Sequence, residues 1–169
     1  MKFIGKDGQE VELKILGYQF PTSFDNEWDA NWLRIYLNVK SNVGYWQTVD
    51  PSLTTWEVDQ IIKWFSALSQ NQEVEHLEMT FIEPNLSFQF LDKTSDTKTI
   101  QIKFNLESRP QPADDDKEYF INFHFFNKDL ATIANELSIE HSKFPVRPFS
   151  ATSVAEKVES DKKPWWKFW

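Results

Sequence analysis

The sequence predicts an α+β fold. A mostly antiparallel β-sheet of about six or seven strands packs with two helices, and a flexible C-terminal tail follows. Three observations carry this prediction. Apolar residues alternate with polar ones through most of the chain, as in strands with one wet face. Two other stretches space their apolar residues at helical period. Beyond Phe144 neither pattern persists, so residues 1–144 read as one domain and 145–169 as a tether.

The elements follow in order. Val11, Leu13 and Ile15 alternate with Glu12 and Lys14 in the first strand. Gly17 opens a polar connection, GYQFPTSFDNEWDAN. Leu33, Ile35, Leu37 and Val39 then share one face of a strand, with Trp32, Arg34, Tyr36, Asn38 and Lys40 on the other. Ser41 to Gly44 supply a turn, and Tyr45 to Val49 return as a hairpin arm. Thr54 and Glu57 have capping-box spacing, and Val58, Ile61, Ile62, Phe65 and Leu68 form the stripe of the helix they begin.

Leu77, Met79 and Phe81 alternate next, then Leu86, Phe88 and Phe90, then Ile100, Ile102, Phe104 and Leu106. Tyr119, Ile121, Phe123 and Phe125 close the strands, and Phe120 and Phe126 on the opposite face predict cover on both sides. A second helix is expected from Lys128 to His141 with Asn127 as its cap and Leu130, Ile133, Ala134 and Leu137 as its stripe. Short strands joined by hairpins make an antiparallel sheet, whether one curved sheet or two stacked ones.

Composition narrows the function. The chain has no cysteine, which excludes a disulfide framework and fits a reducing cytoplasm. The N-terminus shows no apolar run after a basic start, and no stretch is long enough to span a bilayer, so a soluble cytoplasmic protein is expected. Fifteen Phe and eight Trp can fill a sizeable core. The formal charge is −8, and the excess of carboxylates lies before Ala151. Such a body repels nucleic acid and suits a basic protein partner, while also serving solubility alone.

Reactive groups are few. No cysteine nucleophile and no G-x-S-x-G elbow occur. Four glycines cannot build a phosphate-cradling loop, and the three histidines lack zinc spacing, so neither cofactor nor metal is expected. His76 stands among Glu73, Glu75 and Glu78 on an exposed stretch, and His124 reads as a structural histidine beside Asn122. The chain reads as a non-enzyme. Its rival, an enzyme of unfamiliar type, requires a pocket with His124 beside a carboxylate.

Aromatic and acidic clusters offer more. Trp28, Trp32, Tyr36 and Trp46 lie in the first connection and its hairpin, interleaved with Asp25, Glu27 and Asp29. Trp and Tyr favour binding hot spots, and carboxylates suit a cationic partner. The competing reading has the helix after Thr54 cover this face and bury the aromatics. Asp114, Asp115 and Asp116 form a second acidic group without the spaced ligands or glycine turn of a calcium loop. It is either a solvated loop or a contact for a basic partner. The chain ends in KKPWWKFW, with Lys162, Lys163 and Lys167 among Trp165, Trp166, Phe168 and Trp169. Such a tail suits docking in a groove, weak contact with a membrane surface, or no task.

Three segments carry a resemblance: Leu13–Pro21 (LKILGYQFP), Asp29–Val39 (DANWLRIYLNV) and Asp50–Val58 (DPSLTTWEV), followed by Trp64. They resemble the WapI family of immunity proteins. The resemblance is strongest over residues 13–64 and does not include the Trp-rich tail. It implies a cytoplasmic protein that neutralises a cognate bacterial toxin, often a nuclease, by protein–protein contact. It brings no catalytic residue. The alternative is an adaptor or scaffold that works through its C-terminal tail.

Overall fold

A computed structural model describes residues 1–5, 7–22, 26–94 and 96–148. Among these residues eight strands form two antiparallel four-stranded meanders. The first contains β1 (Lys2–Ile4), β2 (Glu10–Tyr18), β3 (Trp32–Ser41) and β4 (Gly44–Thr54) in that order. The second contains β5 (Glu78–Thr80), β6 (Leu86–Lys93), β7 (Lys98–Phe104) and β8 (Tyr119–Phe125). Among the described residues there are three α-helices: α1 (Glu27–Asn31), α2 (Thr55–Ser69) and α3 (Asn127–His141). A 3₁₀ turn spans Leu106–Ser108. The α+β class and the antiparallel pairing agree with the sequence reading. The strand and helix totals each exceed it, because β1 and α1 are too short to show a period.

One core joins both sheets. Phe3 of β1 is fully buried and its ring lies 5.7 Å from Phe65 of α2, 5.8 Å from Phe88 of β6 and 6.0 Å from Phe123 of β8. The aliphatic row Leu33, Ile35, Leu37 and Val39 enters the same cluster. The chain turns between β1 and β2 at Gly8, whose φ of +74° few side chains tolerate.

Helix α2 begins as its sequence requires. Glu57 accepts from the Thr54 N–H at 2.7 Å, while the Thr54 hydroxyl accepts from the Glu57 N–H at 3.3 Å. The other Glu57 oxygen accepts from the Ile82 N–H at 2.7 Å, so this buried carboxylate also fixes the approach to β6. Helix α3 starts one residue earlier than expected. Asn127 is already helical; the cap is Phe126, whose N–H donates to the Asp129 carboxylate at 2.9 Å. The Asn127 side-chain oxygen instead accepts from the ammonium of Lys98, which also donates to the Asn71 side-chain oxygen at 2.7 Å.

The expected cover on both faces of β8 is not found. Ile121, Phe123 and Phe125 are buried, but Phe120 and Phe126 are each about two-fifths exposed. The tether was expected from Pro145. Within the described residues, 145–148 stay bonded to the body through Tyr18, Ala30 and Asn31. The tail motif, Lys162 to Trp169, lies outside the described residues. No helix among the described residues is long and apolar enough to cross a membrane.

Candidate functional site

The five residues of α1 set the best-defined group. The Asn26 side chain accepts from the Asp29 N–H at 2.9 Å and donates to the Asp29 carboxylate at 2.8 Å. Glu27 and Asp29 occupy the first turn, where the helix dipole favours negative charge. Between them Trp28 is 52% exposed and meets Trp56 edge-on, ring centroids 5.1 Å apart. The chain passes directly from α1 into β3, so Trp32 follows Trp28 by one helical turn and is half-buried.

Tyr36 lies further along the same face of β3, paired with Lys14 and Val49 on its neighbours. The Lys14 ammonium stands 5.6 Å from the Tyr36 ring centre. Helix α2 does not cover this face. Its stripe joins the aliphatic row on the opposite side, which overturns the reading that would bury Trp32 and Tyr36 beneath it.

Trp46 does not belong to the group. It pairs with Val39 across the hairpin and therefore shares the core face. It is 7% exposed, meets Phe104 edge-on at 5.2 Å, and donates its indole N–H to the Ser108 carbonyl at 2.8 Å. Asp25 lies outside the described residues. Trp56, which sequence reasoning passed over, belongs beside Trp28. Its signal was its position in the first turn of α2, off the apolar stripe.

The Asp114–Asp116 loop stands apart. Ser108, at its base, is tied to Trp46, whose partner Val39 lies seven residues along β3 from Trp32, roughly 23 Å. Its carboxylates are engaged locally. Asp114 lies 3.0 Å from the Lys117 ammonium and Asp115 2.9 Å from the Arg109 guanidinium. The hydrogen bond from Lys117, with a second from the Asp116 N–H, holds the Asp114 carboxyl below its ordinary range.

The histidines are separately placed. His124 Nδ1 and the Thr99 hydroxyl are 3.0 Å apart on the outer face of the second sheet. His76 is exposed beside Glu75. His141 ends α3, with its Nε2 buried and unpartnered. Burial pushes its pKa below the ordinary 6.5, against the opposing pull of Asp59 and the Thr55 backbone. Among the described residues no three His, Asp or Glu side chains group as metal ligands.

These features define an acidic α+β protein that displays two carboxylates and a tryptophan on a short helix leading into a sheet. The WapI-like family of immunity proteins matches over residues 2–145, and the chain belongs to that family. No curated protein and no solved structure matches it.

Proposed function

We propose that this protein binds and neutralises a cognate toxin with a basic contact face, of the nuclease type, and performs no chemistry of its own. Family membership supports immunity to a toxin. The observation that carries the choice of surface is half-exposed Trp28, seated edge-on against partly buried Trp56 and flanked by Glu27 and Asp29. Among the described residues Trp28 is the one tryptophan more than a third exposed, and tryptophan is strongly enriched at binding hot spots. Carboxylates beside it speed encounter with a cationic surface and fix its orientation.

The acidic body repels nucleic acid, so blocking a nuclease in this way requires contact with the toxin rather than with its substrate. The Asp114–Asp116 loop is the weaker choice, because Lys117 and Arg109 already offset part of its charge. The test is co-expression with the toxin-like product of a neighbouring gene. Complex formation and rescue of growth support the reading. A toxin that neither binds this chain nor is inhibited by it refutes the reading.

A further inference from the structure

A helix of five residues does not stand by itself, since the nucleation cost exceeds what so few hydrogen bonds return. Something outside α1 must hold it, and the contacts single out Arg147. Its Nε donates to the Ala30 carbonyl at 2.6 Å, inside α1. Its Nη2 donates to the Phe20 carbonyl at 2.7 Å and its Nη1 to the Pro21 carbonyl at 3.1 Å, in the chain leading to α1. The guanidinium lies 3.7 Å over the Tyr18 ring.

The Arg147 backbone adds a reciprocal pair with fully buried Asn31, the last residue of α1. The Arg147 N–H donates to Asn31 Oδ1 at 2.8 Å, and Asn31 Nδ2 donates to the Arg147 carbonyl at 2.9 Å. The Thr55 hydroxyl also donates to Asn31 Oδ1, at 3.1 Å, which joins the clamp to the start of α2 beside Trp56. Helix α1 carries no basic residue in its last turn. Arg147 brings a cation to that end from more than a hundred positions away, where the helix dipole favours one.

We infer that Arg147 is a positioning residue for the toxin-binding surface: it need not touch the toxin, but it holds α1 so that Glu27, Trp28 and Asp29 are presented as a fixed group. This rests on the function proposed above. It extends the working part of the molecule past the family match, which ends at residue 145. Lysine cannot replace it. A single ammonium does not reach three carbonyls and stack on a ring at once.

The test uses the full chain with Arg147→Ala and Arg147→Lys, the second keeping charge and length should the first fail to fold. Amide exchange is followed in residues 26–31 and in β7. The exciton signal of the Trp28–Trp56 pair, assigned by its loss in Trp56→Phe, is followed by circular dichroism. Both Arg147 variants should exchange at least about tenfold faster in 26–31, keep wild-type exchange in β7, and lose the signal. Affinity for the toxin from the neighbouring gene should fall about tenfold or more. Unchanged exchange in 26–31, or a loosened α1 with wild-type affinity, overturns the positioning role. A wild-type chain that fails to bind the toxin refutes the functional reading instead, and does so before any variant is made.

Discussion

Trp28 precedes the β3–β4 hairpin, Trp46 lies within it, and the two do opposite work. Trp46 is turned inward, packed on Phe104 and hydrogen-bonded to Ser108, so it fastens the first sheet to the segment that follows β7. Trp28 is turned outward, set edge-on against Trp56 and flanked by carboxylates. The two differ in what surrounds them, not in chemistry. An aromatic side chain gives stability where every face has a partner, and leaves a face available for recognition where one does not.

The largest expected effect breaks the inner half of that comparison. Trp46→Ala should cost about 3–5 kcal/mol in denaturant unfolding, through lost packing and an orphaned Ser108 carbonyl. The fraction that remains folded should bind toxin normally. Trp28→Ala should show the reverse. Its stability should change by under about 1 kcal/mol, while toxin affinity, measured by calorimetry, falls by about 2 kcal/mol or more.

Glu27→Lys sharpens the electrostatic part. It should slow association in stopped-flow mixing and flatten its dependence on salt, with a smaller change in dissociation. A smaller effect concerns His141. A group whose folded pKa lies below its unfolded value takes up protons preferentially on unfolding, so its contribution is complete above about pH 6.5 and declines as pH falls below that. Between about pH 7 and pH 5.5 the wild type should therefore lose more stability than His141→Gln in parallel urea titrations. Smallest of all, removing Lys162 to Trp169 should leave protection against the toxin unchanged; loss of activity on that deletion favours the adaptor reading.

Much of the frame was legible because its elements are long and periodic. The β3 alternation and the Thr54–Glu57 box appear in the structure as the sequence spelled them. The position of Trp46 was legible too, at one further step. A two-residue loop at Asn42-Val43 pairs Ser41 with Gly44, and counting back places Trp46 opposite Val39 on the core side. Helix α1 was not legible. One turn cannot show a period, and its stability comes from Asn26 before it and Arg147 far beyond it. Arg147 itself stands between Pro145 and Pro148 in a stretch with no period, where local sequence gives no sign that a guanidinium will close on three distant carbonyls.

Helix α1 and the start of α2 are the proposed contact surface, and hydrogen exchange of the complex tests this most directly. With the toxin from the neighbouring gene bound, residues 26–36 and 54–59 should slow markedly, while 106–118 exchange as in the free protein. Slowing confined to 106–118, or to the outer face of the second sheet, would contradict it.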